Sequence, residues 1–377
     1  MISRVQITKV EPIVLRLAQV DTSRADGTQD AFLVRVHTDE GLIGVGEADT
    51  SPYVARTIVE MPSSHAVARG LAELLVGEDP LAIDRLWQAM WMGSYHYGRS
   101  GAALHTMSAI DIALWDIAGQ AAGLPISELL GGRRTDTMTV YASEVMPETP
   151  AEVREIAERS VLAGYTALKL GWGPLGRSLE NDVELLTAAR EVLGPERKLM
   201  VDGGMGYSVR SAIALLEAVE PLDLYWLEEP IAADDYRGYR RLSDSARIRL
   251  AAGEADSGIS AFRALVEQGH VDVLQPDLAR CGGFTVGRQI IDLARETGVE
   301  VVPHCFSTGV LVASSLHFTA ALDKPTLSEF SVAQSPLVGE LLATPFELVE
   351  GRLAIPTAPG LGIELNPEML ERMRYDG

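Results

Sequence analysis

Apolar and polar residues alternate at the start of the chain, as they do in strands that bury one face of a sheet. The segments VQITKVEPIVLRL and AFLVRVHT carry this alternation, and the turn at Asp39-Glu40-Gly41 leads into LIGVGEA. A short polar turn between two such segments is typical of a β-hairpin. The pattern therefore predicts an antiparallel sheet in this section.

Helical patterns follow and end in the segment HTMSAIDIALWDIAGQAAGLPISELLGG. Its helix is apolar on nearly every side, through residues such as Ile110, Ile112, Trp115 and Ile117. A helix that is apolar all round has to be covered by its neighbours. We therefore expect this helix to be deeply buried.

From about residue 136, short apolar runs alternate with helical segments such as AEVREIAERSVLAG. The runs are TMTVYAS, TALKLG, KLMVDGG, LYWLEEP, IRLAAGE, VDVLQPD, VEVVPHC and TLSEF. Eight strands that alternate with helices are typical of a (β/α) barrel rather than an open sheet. From about residue 336 the chain returns to loops and short strands, and this tail could rejoin the N-terminal section.

Composition narrows the class of protein. The 377 residues suffice for one barrel and a smaller module, and 47% hydrophobic content supports a large core. A net charge of -21 argues against nucleic acid and anionic membranes as partners. Two isolated cysteines, the lack of a signal-peptide pattern and the lack of an apolar run of about 20 residues favour a soluble cytoplasmic protein.

Three carboxylates stand at the ends of apolar runs. Asp202 follows LMV, Glu228 follows LYWL and Glu254 follows LAAG, each 26 residues after the one before. Barrel strands deliver such residues to the catalytic face, where three carboxylates would repel each other unless a cation neutralises them. Oxygen-only ligands favour Mg²⁺. Glu229 is the rival of Glu228, but side-chain alternation along a strand turns it the other way.

Two further strand ends carry Asp277, in VLQPD, and His304, in VVPH. A carboxylate on the neighbouring strand would orient the imidazole, so the pair predicts a general base with its orienting acid. Glu329 ends the last strand, either as a salt-bridge residue or, with a raised pKa, as a hydrogen-bond donor to an enolate. Lys169 ends the second strand, as a carboxylate anchor, a base with a lowered pKa, or a residue that snorkels to solvent.

The order of these residues resembles the mandelate racemase subgroup of the enolase superfamily. SAIDIALWDIAGQAAGLPISELLGG is similar to the segment that links the capping domain of that family to its barrel. WLEEP, the GE of AAGE, and QPDLARCGG are similar to its motifs on later strands. The resemblance implies an α/β fold, a modified TIM barrel (β/α)7β with an α+β capping domain. The cap would take residues 1–130 and 336–377, and the barrel residues 131–335.

The resemblance also implies one Mg²⁺ per active site, held by the three carboxylates, a small-molecule carboxylate substrate, and a homo-oligomer, which is common in this family. It assigns the catalytic roles to the His–Asp dyad, to Glu329 as the acid that hydrogen-bonds the enolate, and to Lys169. Cap loops near residues 18–30 and 48–56 would contribute specificity.

One departure from the family pattern bears on the reaction. The second strand often carries Lys-x-Lys, whereas here the run is Lys169-Leu170-Gly171. Racemisation needs bases on both faces of the substrate, while elimination needs only one. This favours dehydration of an acid sugar, an aldonate or aldarate, to a 2-keto-3-deoxy acid through an enediolate.

Three alternatives stay open. The first is a racemase or epimerase of a 2-hydroxy acid, with Lys169 as the second base. The second is a sugar-acid binding protein without chemistry. The third is cycloisomerase or amino-acid chemistry of the neighbouring subgroup, which usually pairs lysines across the site where this chain offers Asp277.

Overall fold

The computed structural model describes residues 5–23 and 25–376. The chain begins with an antiparallel sheet in the order β1-β2-β3, which confirms the predicted strands and hairpin. Its strands are β1 (Ile7–Arg16), β2 (Asp30–Thr38) and β3 (Ile43–Ala48). The helices after it are α1 (Pro52–Glu60), α2 (Leu71–Leu75), α3 (Ile83–Gly93), α4 (Ala102–Ala122) and α5 (Ile126–Leu129).

Helix α4 is the buried apolar helix that the sequence predicts, and every side chain from Thr106 to Ile117 is buried. The sheet lies directly on this helix because β3 carries glycine at the contact. A Cβ atom on Gly46 would lie 1.8 Å from the carbonyl oxygen of Ala109. Glycine therefore lets the backbones of β3 and α4 approach closely.

Eight parallel strands and seven intervening helices follow, as the sequence predicts for a (β/α)7β barrel. The strands are β4 (Thr137–Val145), β5 (Ala167–Gly171), β6 (Lys198–Asp202), β7 (Trp226–Glu228), β8 (Leu250–Ala252), β9 (Val273–Leu274), β10 (Glu300–Val301) and β11 (Ser328–Ser331). The helices are α6 (Pro150–Leu162), α7 (Leu179–Leu193), α8 (Val209–Ala218), α9 (Tyr236–Ser245), α10 (Ile259–Ala264), α11 (Gly283–Thr297) and α12 (Gly309–Ala321). Strand β4 pairs with both β5 and β11, so the first barrel strand neighbours the second and the last, the cyclic order of a barrel.

The C-terminal tail contains α13 (Pro336–Gly339), β12 (Arg352–Ala354) and α14 (Pro367–Met373). It contacts both parts of the molecule, because β12 pairs with β4 and the amide of Tyr375 donates to the carbonyl of Val14 at 2.9 Å. The domain boundaries at residues 130 and 336 stay a prediction. Within residues 5–23 and 25–376, none of the helices has the length and apolar character needed to cross a bilayer.

One layer of side chains fills the barrel beneath the strand ends: Tyr141, Ala167, Met200, Trp226, Ala251, Val273, Val302 and Leu327. Side chains repeat their direction every second residue along a strand. The residues two positions later are therefore the next layer up: Ser143, Lys169, Asp202, Glu228, Gly253, Gln275, His304 and Glu329. An apolar floor thus supports a layer made mostly of polar and charged side chains.

Candidate active site

The three carboxylates predicted as metal ligands come together at this level of the barrel: Asp202 and Glu228 belong to the upper layer, and Glu254 directly follows Gly253 of that layer. One oxygen atom each from Asp202, Glu228 and Glu254 lies within 4.8 Å of the other two, and all three residues are buried. Burial and the charges of its two neighbours raise the pKa of Asp202 well above its usual value. Burial also raises the pKa of Glu228, although Lys169 opposes the rise. Negative charge on this group is therefore unfavourable by itself, and a bound cation would stabilise it.

Buried donors hold the Glu228 carboxylate in place. The indole nitrogen of Trp226 donates to its Oε2 at 3.0 Å, and Nε2 of Gln275 donates to the same oxygen at 2.7 Å. Lys169 Nζ donates to Oε1 at 2.5 Å. The two donors on Oε2 account for both of its lone pairs, so Oε1 is the oxygen with capacity left for a metal ion.

Glu229, the alternative ligand to Glu228, binds backbone amides. Its φ angle is +30°, and its Oε1 accepts hydrogen bonds from the amides of Gly253 at 3.0 Å and Ala255 at 3.4 Å. These amides flank Glu254, so Glu229 ties down the backbone that presents Glu254 to the site. Its side chain lies outside the three-carboxylate group, as strand alternation predicts.

His304 and Asp277 form the predicted pair. His304 Nδ1 lies 2.7 Å from Asp277 Oδ2, and Asp277 Oδ1 accepts the amide of Ala279 at 2.7 Å. The other ring nitrogen, Nε2, lies 3.1 Å from Glu254 Oε2. Burial alone would lower the pKa of His304, but the charges of Glu254 and Glu329 and the bond to Asp277 raise it to about 10.

Lys169 and Glu329 form a buried ion pair, with Nζ 2.9 Å from Oε1. Both lie within their strands rather than at the ends where the sequence reading puts them: Lys169 is the third residue of β5 and Glu329 the second of β11. Their short strands still carry both side chains into the upper layer, because each is two residues past the apolar floor.

The charge states of this pair correct two expectations. Burial alone would lower the pKa of Lys169, but the charges of Glu228 and Glu329 raise it well above its usual value. The structure therefore does not give Lys169 the lowered pKa that a lysine base requires. Burial alone would raise the pKa of Glu329, but Lys169 and His304 lower it to about 2. The ion pair with Lys169 therefore favours the ionised form of Glu329, opposite to the raised pKa that an enolate-donating role would need.

Gly171 is required by its neighbour Asp202. The two residues are paired across β5 and β6, and a Cβ atom on Gly171 would lie 2.4 Å from Cβ of Asp202. Real carbon atoms do not approach so closely. A second lysine at this position would therefore displace a predicted metal ligand.

A cavity of about 250 Å³ opens above these residues. Its charged lining comprises Glu144, Lys169, Asp202, Glu254, Arg280, His304 and Glu329. Trp172 and Phe306 add apolar walls, and the first cap loop contributes Ala25 and Gly27; Arg24, in the same loop, lies outside the described residues. The site and the cap loop therefore line the same cavity.

Sequence reasoning missed the residues that support this site. Trp226 stands two residues before Glu228, and Gln275 two before Asp277, so strand alternation alone could have pointed both side chains into the barrel, Trp226 beneath the site and Gln275 beside Glu228. Asp49 carried no such signal. It contacts Arg280, which is 231 residues away along the chain.

Two family models match this chain, one in each half. The family described as mandelate racemase / muconate lactonizing enzyme, N-terminal domain, matches residues 4–131. The family described as enolase C-terminal domain-like matches residues 152–369.

Similar proteins include enzymes that act on acid sugars. The D-galactarolactone cycloisomerase of Agrobacterium fabrum is 34% identical over 91% of this chain and 90% of its own length. The L-rhamnonate dehydratase of Saccharopolyspora erythraea is 33% identical over 92% of this chain and 85% of its own length. The crystal structure of the 3,6-anhydro-D-galactonate cycloisomerase from Zobellia galactanivorans has a TM-score of 0.90 at 30% identity. The structural match covers 98% of this chain and 100% of the chain of the Zobellia enzyme.

These names include dehydratases, which are lyases, and cycloisomerases, which are isomerases, in line with the predicted lyase and its isomerase alternative. Both family matches and the full-length similarity agree with the two-part fold and with the resemblance read from the sequence. The chain belongs to the mandelate racemase / muconate lactonizing enzyme family of the enolase superfamily.

Proposed function

We propose that this protein is a Mg²⁺-dependent enzyme that removes the proton next to the carboxylate of an acid sugar. It then eliminates water from the neighbouring carbon to give a 2-keto-3-deoxy acid. One observation carries the proposal: a single cavity is lined by members of a three-carboxylate group and by a histidine held by a buried aspartate. Such a pairing of a cation site with an oriented base is what proton abstraction beside a carboxylate requires.

The residues present fit a magnesium ion. Asp202, Glu228 and Glu254 offer only oxygen, the donor type that a hard divalent cation prefers. Glu254 Oε2 is buried and, apart from His304 at 3.1 Å, has no hydrogen-bond donor among the described residues. When bound there, the ion would supply positive charge that favours the anion formed as the proton leaves.

The acid–base work falls to His304. The neutral imidazole would be the base, because a cation held by Glu254 would offset the carboxylate charge that raises the pKa of His304. Asp277 fixes the ring through Nδ1, so Nε2 is the atom that would take the proton from the carbon next to the carboxylate. The protonated Nε2 would then give that proton to the departing hydroxyl, and both groups leave from the same face. Lys169, a buried cation that lines the cavity, would bind the substrate carboxylate while Glu329 holds its ammonium group in place.

Elimination fits this cavity better than racemisation. A racemase needs a second base facing His304 across the substrate, and Gly171 leaves no room for one because of its contact with Asp202. Lys169 could serve as that base only if it were neutral, and its ion pairs with Glu228 and Glu329 oppose this. A binding protein without chemistry would have no use for the Asp277–His304 arrangement.

The relatives favour a second candidate reaction. Two of the similar proteins reported above are named as cycloisomerases, which favours the cycloisomerase alternative that the sequence left open. The same proton abstraction could expel a ring oxygen of a lactone or anhydro sugar acid instead of a hydroxyl. Atoms balance in both cases, but the first reaction releases water and the second gives an isomer of the substrate.

A substrate screen with a mass readout tests the proposal. Purified protein is incubated with a library of aldonates, aldarates and their lactones, with Mg²⁺ or with EDTA. A keto acid that has lost one water, formed only with Mg²⁺, supports dehydration, and a keto acid of unchanged mass supports ring opening. An epimer without a keto group would identify a racemase. Metal-independent formation of a keto acid would refute the proposed role of the ion.

A further inference from the structure

Arg280 lies where the N-terminal sheet meets the candidate active site. Its Nη2 donates to Oδ2 of Asp49, the residue directly after β3, at 2.6 Å. Its Nη1 donates to the carbonyl of Glu254 at 3.3 Å. Both Asp49 and Arg280 have side chains less than a quarter exposed, and Arg280 lines the cavity. One guanidinium therefore joins a residue of the cap to a residue of the barrel.

Two carboxylates of the site lie within ion-pair distance of Arg280 but just beyond hydrogen-bonding distance. Its Nη1 lies 3.6 Å from Glu254 Oε1, and its Nε lies 3.7 Å from Asp277 Oδ2. Charge-assisted hydrogen bonds of this type form at about 2.7–2.9 Å. A shift of about 1 Å would bring the guanidinium onto one of these carboxylates. Among the described residues, Asp49 is the only carboxylate that Arg280 contacts at hydrogen-bonding distance.

Glu254 and Asp277 each have a separate role in the proposed site. Glu254 is a predicted metal ligand, and Asp277 orients His304. An arginine that paired fully with Glu254 would compete with the cation for its oxygen atoms, and one that paired with Asp277 would compete with the imidazole. The position of Arg280 therefore affects both halves of the site.

We propose that Asp49 is a positioning residue that restrains Arg280, and so keeps Glu254 available to the metal and Asp277 available to His304. The inference rests on the proposed function, because it takes Glu254 as a metal ligand. It assigns the segment after β3 a role in metal binding, although Asp49 lies outside the three-carboxylate group.

Metal titration of EDTA-treated protein tests this role without any substrate. Magnesium binding is measured by calorimetry for the wild type, Asp49→Asn, Arg280→Gln and the double variant. Asp49→Asn is expected to weaken Mg²⁺ binding by about tenfold, the loss typical of residues that orient metal ligands. In the Arg280→Gln background the same change should alter affinity less than about twofold, since nothing remains to restrain.

A matched control removes another ion pair between the same two parts of the molecule. Arg288 Nη2 donates to Asp84 Oδ1 at 2.5 Å and joins α11 to α3, at an exposed position. Asp84→Asn should leave Mg²⁺ affinity unchanged. Circular dichroism melting curves check that the variants fold, and Asp49→Ser replaces Asp49→Asn if the latter does not.

The outcomes separate this inference from the proposed function. Wild-type protein that binds no Mg²⁺ would refute the proposed function itself. Wild-type binding with an unchanged Asp49→Asn affinity would refute only the positioning role. Equal weakening by Asp49→Asn with and without Arg280 would also refute it, because the effect would then be that of a lost negative charge alone.

Discussion

Replacing Gly171 by alanine adds one methyl group at the most crowded point of the site. The new Cβ atom would lie 2.4 Å from Cβ and 2.9 Å from Cγ of Asp202. Ordinary carbon contacts start near 3.5 Å, so the two strands would have to separate by about 1 Å at their ends. Because Asp202 Cβ is bonded directly to the backbone of β6, a rotamer change cannot relieve the contact.

Such overpacking typically costs about 1–3 kcal/mol. Part of that strain is relieved if Asp202 leaves its position among the carboxylates, so the effect should fall on metal binding. A loss of about 1–3 kcal/mol corresponds to Mg²⁺ binding weakened by about 5- to 150-fold. Gly171→Lys should be at least as damaging, and should not create a racemase.

Calorimetric titration of EDTA-treated Gly171→Ala with Mg²⁺ measures this effect. The matched control is Gly339→Ala, because a Cβ atom there meets no atom within 4 Å. The control should bind Mg²⁺ as the wild type does. The steric account would be refuted if Gly171→Ala kept the wild-type affinity within twofold, since Asp202 would then be shown to tolerate a side chain beside it.

Three more predictions address the charges around the site. Lys169→Met leaves Glu228 and Glu329 buried without their cation, so the free energy of unfolding should fall by about 3–5 kcal/mol in EDTA and by less with Mg²⁺, measured by denaturant titration. Trp226→Phe removes a hydrogen bond to Glu228 and should weaken Mg²⁺ binding by about tenfold in the same calorimetric assay; an unchanged affinity would contradict the orienting role. Glu47 is a buried residue of β3 whose carboxylate accepts hydrogen bonds from the hydroxyl groups of Ser307 and Thr308. Burial raises its pKa from 4.5 to about 7, so its contribution to stability is full below pH 4.5 and is lost as the pH rises to 7. Relative to Glu47→Gln, the wild type should lose about 3 kcal/mol between pH 4.5 and 8, and parallel stability curves would refute this.

Much of the site could be predicted because strands and barrels impose simple rules. A carboxylate that follows a buried apolar run at the end of a barrel strand has to face the catalytic side, and this rule brought Asp202, Glu228 and Glu254 together. Alternation along the strand separated Glu228 from Glu229. The first rule holds even for β9, which covers only Val273–Leu274. The chain continues past the end of this strand and brings Asp277 to His304 on the catalytic side.

Other features depend on distances that a linear pattern does not contain. The charge states of Lys169 and Glu329 follow from their mutual contact at 2.9 Å inside the protein, which the sequence does not show. The absence of a second lysine was visible, but its cause was not, because the contact between Gly171 and Asp202 belongs to the pairing of two strands. Asp49 lies in the predicted specificity loop near residues 48–56, but its contact with Arg280 could not be predicted for the same reason.

The central claim is that His304 removes the proton next to the substrate carboxylate, and proton exchange in D₂O tests it most directly. An acid sugar identified by the screen is incubated with Mg²⁺ and with wild type, His304→Asn or the exposed cap variant His65→Asn. The wild type and His65→Asn should give a keto acid with one deuterium at the carbon that lost its hydroxyl, and His304→Asn should give neither exchange nor product. Exchange and turnover that survive in His304→Asn would contradict the account.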